Sequence, residues 1–338
     1  MPAQFLNIDA DTGSFSFPDE AFDGLVAELD GLLDAKEQGA LTSAGYTKSL
    51  QKLIAEEPDF TDAHAHLAYA WIEQGKPKKA LDASLAGLAA ANRHIPEGFA
   101  GQLPWGLLEN RPYLRTLHGA LLAAVRLGRH KDAVAFAERM LTLNPTDNQG
   151  VRYLLGSELL RAGRVEAAQA AMEPEAANYP PYEYELGLLH LMNRQWVSAA
   201  TALRRGFLAN PYFAEALCGT IDPQPLPIWH SSNLEEPANA HGYVNAYGAL
   251  WEQRISFLAF LRWLFNSSQV LQERAAVLAC REALQWEREF GKRSAWVDRM
   301  HALEAAVDDS ISTALVVRNV DRQGREVWPW MPEQPLIG

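Results

Sequence analysis

Cysteine is nearly absent from this chain of 338 residues: Cys218 and Cys280 are the only two. They lie far apart with no CxxC pair, which argues against a disulfide framework or a cysteine metal site and fits a reducing, cytoplasmic setting. Long apolar runs are missing as well. The most apolar stretch, Ile255 to Phe265, is interrupted by Arg262 and falls well short of the ~20 residues that cross a bilayer. It reads as a buried helix, and no membrane insertion is expected. Positive charge is in short supply, with 30 Lys and Arg against 42 Asp and Glu and a net charge of −12. A nucleic-acid partner needs a positive footprint and is not expected. The first residues, MPAQFLNIDADTG, have neither a basic nor an apolar segment, so no secretory signal is read there.

Catalytic patterns are missing too. There is no phosphate loop, GxSxG elbow, HExxH pair or dinucleotide fingerprint, and Gly291-Lys292-Arg293-Ser294 lacks the upstream glycines of a phosphate cradle. His64 and His66 stand two apart on a helix, pointing to different faces, and read as packing histidines. No catalytic residue, metal site or cofactor is assigned, and the chain is expected not to be an enzyme.

What the chain does contain is repetition. Hydrophobic residues make up 48% and charged residues 21%, the balance of a folded protein. Three segments share a Gly-x4-Ala core: Gly75 to Ala80, Gly128 to Ala133 and Gly163 to Ala168. Glycine permits a tight turn between two helices, and alanine lets the second approach the first closely. Leu117, Ala120, Leu121 and Ala124 stripe one such helix, and Ala133, Ala137 and Met140 stripe its partner. A fourth, weaker unit has Leu186, Gly187 and His190, then Ala199 and Leu203, with Asn193-Arg194-Gln195 in place of the glycine turn; Asn193 is the residue suited to left-handed backbone there. Pro145, Pro180 and Pro211 close successive units. This pattern resembles the tetratricopeptide superfamily over about residues 45–215. Gly128-Arg129-x2-Asp132-Ala133-Val134, the block from Asn210 to Leu217 and the block from Ala240 to Gln253 are together similar to the suppressor-of-tumorigenicity-seven family and related bacterial repeat proteins. The animal members carry membrane segments that are not seen here, and the resemblance implies no catalytic residues.

The expected fold is therefore all-α: a tetratricopeptide-type α-solenoid with a helical C-terminal extension and small terminal β-hairpins. Residues 1–44 form an acidic cap in which Phe22 to Glu37 pairs with a helix from Tyr46. The solenoid occupies 45–220, with an insertion at about 88–112. A proline-rich linker follows at 221–240, then a helical region at 241–310 and a hairpin tail at 311–338. The two hairpin signals, around Asp11-Thr12-Gly13 and Asp321 to Gly324, could pair into one sheet.

Such a scaffold implies a binding protein. Aligned on the glycine turns, first-helix positions form columns that would line a concave groove: Glu73, Arg126 and Arg161; Ala65, His118, Tyr153 and Tyr184; Asp62 and Arg115. The partner-binding set is then Arg115, His118, Arg126, Tyr153, Arg161 and Tyr184, suited to a protein or peptide segment with acidic residues. The alternative for the arginines is internal pairing with Glu158, Glu183 or Glu185. Charge suggests a second functional reading. Residues 1–60 hold twelve acids against three lysines, whereas residues 111–220 are mildly basic. An inhibitor or chaperone, such as an immunity protein, would meet a basic partner through that acidic end. A third reading, an enzyme site hidden in the C-terminal region, has no motif behind it. Trp105, Trp229, Trp328 and Trp330, in proline-rich surroundings, are candidates for loop staples or binding anchors.

Overall fold

The computed structural model describes residues 4–17, 20–219 and 223–331. The chain is all-α, with two short antiparallel hairpins near its ends. Its contacts divide it into two compact units, 1–171 and 172–338. The division falls inside the span expected to form one array.

In the first unit, β1 (Gln4–Asn7) pairs with β2 (Gly13–Ser16), and eight helices follow. These are α1 (Glu20–Glu37), α2 (Ser43–Glu56), α3 (Thr61–Glu73), α4 (Pro77–Asn92), α5 (Arg111–Arg126), α6 (His130–Leu143), α7 (Arg152–Arg161) and α8 (Val165–Met172), the last of which reaches the unit boundary. Helix α3 packs on both α4 and α5, and α4 and α6 also pack on α5, so consecutive helices share one core. Small residues make these crossings close. Ala80, Ala120, Ala124, Ala133 and Ala168 are fully buried, and a Cβ on Gly87 would fall 2.6 Å from that of His64. Thr42 starts α2 by accepting the Gly45 amide at 3.1 Å, and Pro77 and Pro112 open α4 and α5, where a missing N–H costs nothing.

The chain leaves α3, α5 and α7 by one path. Gly75, Gly128 and Gly163 take φ of +67°, +66° and +78°, in the left-handed region. The amide of the next residue then reaches a carbonyl five residues back: Lys76 to Trp71 at 2.8 Å, Arg129 to Ala124 at 2.9 Å and Arg164 to Leu159 at 2.9 Å. This is the Schellman geometry that caps helix ends, and only glycine enters it without steric cost.

The insertion is narrower than 88–112, because α4 runs on through Asn92. Residues 93–107 are irregular, followed by a single 3₁₀ turn at Leu108–Asn110. Asn110 is fully buried and anchors the hairpin: it accepts the Phe15 amide at 3.1 Å and donates to the Gly13 carbonyl at 3.1 Å. Gln102 extends the attachment, exchanging backbone bonds with Asp11 at 2.7 Å and Gly13 at 2.9 Å.

In the second unit, α9 (Pro180–Met192) and α10 (Trp196–Ala209) pack on each other. They are followed by α11 (Phe213–Leu217), α12 (Pro237–Glu252), α13 (Ile255–Phe265), α14 (Ser268–Trp286), α15 (Phe290–Ala305) and α16 (Asp309–Leu315), then β3 (Asn319–Val320) and β4 (Glu326–Val327). Helix α10 is central, touching α13, α14 and α16. The α9–α10 turn repeats the Schellman path without glycine, the Gln195 amide reaching His190 at 2.8 Å. The left-handed residue is Arg194, at φ +58°, whereas Asn193 sits at −86°, so the reading that gave this role to Asn193 is off by one position.

Helix α13 is the apolar run, with Phe257, Phe260, Leu261 and Leu264 buried. The linker is irregular from 223 to 236 apart from a 3₁₀ turn at Asn233–Glu235; residues 220–222 lie outside the described residues. Helix α12 begins at Pro237, earlier than expected. The two hairpins form separate two-stranded sheets, not the single sheet considered above.

Candidate functional site

On the first unit, a row of polar aromatic and histidine side chains crosses α2, α3 and α5. Tyr46 of α2 lies with its hydroxyl 3.3 Å from His66 Nδ1 of α3. One turn on, the Tyr69 hydroxyl donates to the Arg115 carbonyl of α5 at 3.1 Å and stands 3.0 Å from His118 Nδ1. A hydroxyl has one proton, so with Tyr69 donating to the carbonyl, His118 is the Nδ1–H tautomer and donates to Tyr69. Between these pairs, Asp62 accepts from Arg115 at 2.6 Å, and its second oxygen lies 3.8 Å from His66 Nε2. The row borders a depression of about 360 Å³ lined by Tyr46, His66, Tyr69, Ile72, Lys36 and Glu73, the last two ion-paired at 2.7 Å.

Both histidines are held neutral. Burial lowers His118 to about 4, with Asp147 opposing, and burial also lowers His66 against the opposing Asp62 charge, with the Arg115 and Lys36 charges adding to the lowering. Burial likewise pushes the Tyr46 hydroxyl up to about 12 and Tyr69 higher still. These groups are hydrogen-bonding surfaces rather than acids or bases near neutrality.

The structure separates the residues of the expected binding set. Arg115 and His118 meet through Tyr69 and Asp62. Arg126, on the last turn of α5, is exposed, and its guanidinium makes no hydrogen bond or ion pair among the described residues. Tyr153 is half-buried near the start of α7. Arg161 is turned inward: it pairs at 3.0 Å with Glu158, which is fully buried and also lies 2.7 Å from His130 Nδ1. For Arg161 the internal pairing with Glu158 therefore holds. Tyr184 needs correction. It belongs to the second unit, is fully buried, donates to the Asn210 carbonyl at 3.0 Å and packs on Phe213 with ring centroids 5.0 Å apart. It is a core residue with no surface to offer.

Sequence reasoning passed over Tyr46, His66 and Tyr69. Tyr69 sits one turn beyond the Ala65–His118–Tyr153 column, and the matching positions in the next two repeats are Leu122 and Ser157. A signal that does not repeat is invisible to an alignment of repeats. The tryptophans are staples: Trp328 stacks on Trp330 with centroids 4.9 Å apart, both lie against Trp196, and Arg111 covers Trp105 at 5.1 Å. Trp229 donates its amide to the Arg281 carbonyl at 3.0 Å. Both cysteines are free thiols, raised by burial.

The second unit holds a cavity of about 1280 Å³, between α9 and α10 on one side and residues 231–235, α14, α15 and the start of α16 on the other. Among the described residues, no cluster of three or more His, Cys, Asp or Glu side chains is placed to hold a metal ion, and no helix is long and apolar enough to cross a membrane. No protein-family model matches the sequence, and no curated protein matches it either.

Proposed function

We propose that the protein is a non-catalytic binding scaffold of the tetratricopeptide type, which holds a peptide or protein segment on the face of α2, α3 and α5. The observation that carries this reading is the half-buried His66, Tyr69 and His118 beside the 360 Å³ depression, with the buried Tyr46 bonded to His66. Rigid aromatic side chains give contact area at low entropy cost, and neutral imidazoles offer donors and acceptors without a desolvation penalty for charge. Arg126 supplies an unpaired guanidinium for a carboxylate on the segment. The four left-handed turns and the buried alanines at the crossings support the repeat-scaffold part of the reading.

The test begins with capture of partners by the full chain, followed by titration of the purified partner against wild type and Tyr69→Ala. Loss of affinity of tenfold or more with an unchanged melting curve supports this face. Wild-type affinity in the variant refutes it. A second reading, an inhibitor or chaperone for a basic protein, is favoured by one observation: Asp23, Glu28, Asp30 and Asp34 are all exposed on α1.

A further inference from the structure

We propose that the cavity of the second unit binds a ligand bearing primary ammonium groups on an aliphatic stem, with Glu183 as the carboxylate that receives one of them. This site is distinct from the face on α2, α3 and α5 and does not depend on it.

The wall has a marked excess of acid. Glu183 comes from α9, Glu173 from the chain before it, Glu235 from the 231–235 segment, Glu304 from α15, and Asp308 and Asp309 from the start of α16. Against these six carboxylates stand Arg205 of α10 and Arg281 of α14, with His190 of α9 at the edge. Arg281 is already ion-paired, whereas Arg205 is bonded only to a backbone carbonyl and keeps its charge near Glu183. Arg281 is almost fully buried and donates to Glu235 at 2.8 Å and the Leu208 carbonyl at 2.9 Å, with Glu304 at 3.6 Å. Arg205 donates to the Val307 carbonyl at 3.0 Å. Asp309 accepts from Thr201 at 2.6 Å, and Asp308 caps α16 through the Ser310 amide at 2.9 Å.

Glu183 is the member of this wall that is left over. It is only 8% exposed, it lines the cavity, and its carboxylate makes no hydrogen bond or ion pair among the described residues. Its carboxylate opens onto the cavity with the Arg205 charge nearby but no hydrogen-bond donor from the protein, which leaves it available to a partner from outside. Burial pushes its carboxyl up to about 7, with the Arg205 charge opposing. At neutral pH it is therefore poised between forms, and a cation entering the cavity would draw it to the ionised one.

The chemistry of the ligand follows from these facts. An anion would meet six carboxylates, and a wholly apolar molecule would leave a polar wall without partners. A single recessed carboxylate suits a compact ammonium on a flexible stem better than the planar fork of a guanidinium, which seeks two-point contact. The volume exceeds the ~300–1,000 Å³ of common small-molecule pockets, which favours a chain-like ligand with several cationic groups. A free polyamine and a lysine-rich peptide share this chemistry.

Calorimetric titration of the full chain with spermidine and, separately, with an N-acetylated tetralysine peptide at pH 6 and pH 8 tests the assignment. Binding of either probe should tighten about tenfold from pH 6 to pH 8, as expected for a carboxyl of pKa near 7 that must ionise. At pH 6 it should release protons, seen as a heat that depends on the buffer's ionisation enthalpy. Glu183→Gln should abolish that release and weaken binding at pH 8 at least tenfold. Binding of the peptide alone identifies a protein segment as the source, and binding of spermidine identifies a free polyamine. Failure of both probes to bind, binding at pH 6 without proton release, or unchanged affinity in Glu183→Gln overturns the proposal. Should the variant fail to fold, the wild-type proton release alone decides.

Discussion

Buried Glu183 and half-buried His118 set opposite pH dependences, and the sign of each follows from which state holds the proton more tightly. Glu183 is raised from 4.5 to about 7 by burial, so the folded chain binds this proton more tightly than the unfolded chain does. Below pH 4.5 both states are protonated and the group is neutral in effect. As pH rises through 4.5 to 7 the unfolded chain gives up the proton first, and the folded state is penalised by on the order of 3 kcal/mol at pH 8. Glu183→Gln removes the charge with little change of shape. Its stability advantage over wild type should therefore be small near pH 5 and grow to about 1–3 kcal/mol at pH 8 in urea melts. A gap that stays constant with pH would show that Glu183 is not the group responsible. His118 runs the other way. Burial lowers it from 6.5 to about 4, so the unfolded chain takes up the proton first and stability is lost as pH falls from 6.5 towards 4. His118→Gln can keep a donor towards Tyr69 without the ionisation, and should lose less stability than wild type over that interval. Equal acid-side losses in the two proteins would contradict this.

At the scale of elements, the four Schellman turns show what a sequence reveals and what it hides. Gly75, Gly128 and Gly163 announce their turns because φ near +70° strongly prefers glycine, and each of these positions has it. The fourth turn had to be found by spacing, and its strained residue was assigned to Asn193 on propensity. The chain puts Arg194 there because the bond from the Gln195 amide to the His190 carbonyl fixes the left-handed position one residue earlier. The Arg194 side chain is exposed and makes no hydrogen bond or ion pair among the described residues; its backbone amide donates to the Leu191 carbonyl at 3.1 Å, a bond that a glycine there would keep. Arg194→Gly should stabilise the protein by about 1 kcal/mol, the usual cost of left-handed backbone for a side-chain-bearing residue, set against the extra entropy of glycine in the unfolded chain. A lower denaturation midpoint in the variant would show that Arg194 contributes something unseen. Helices α1, α2 and α13 were equally legible, from apolar spacing and flanking prolines, whereas α12 begins inside the expected linker. The candidate sites were not. Tyr69 meets His118 from 49 positions away, and Arg115 meets Asp62 from 53. Glu183 owes its character to burial and to the Arg205 charge on another helix. Such proximities arise from packing, which spacing along one chain does not encode.

For the whole molecule, the question is which charge a partner meets. The net charge of −12 is concentrated in residues 1–60, while the expected arginine column has dissolved: Arg115 answers Asp62, Arg161 answers Glu158, and Arg126 stays open. This changes the expected mutational pattern. If a segment with acidic residues lies on the face of α3 and α5, Arg126→Glu should weaken binding by a few kcal/mol, because an attraction becomes a repulsion. Arg161→Glu should instead destabilise the fold, since it sets a second carboxylate beside the buried Glu158. Neutralising Asp23, Glu28, Asp30 and Asp34 together should then leave affinity nearly unchanged, as exposed charges are screened over about 8–10 Å at physiological salt. A basic partner predicts the reverse. The acid variants would slow association, the effect would fade as salt is raised, and Arg126→Glu would leave binding at or above wild type, since long-range fields act chiefly on the rate of encounter. Measuring association and dissociation rates of the captured partner for these variants, at low and high salt, separates the two. An affinity loss confined to the acid set and abolished by salt would sink the peptide-holding face. A loss confined to Arg126→Glu, carried by faster dissociation, would leave the acids of α1 a solvated surface and place the partner on α3 and α5.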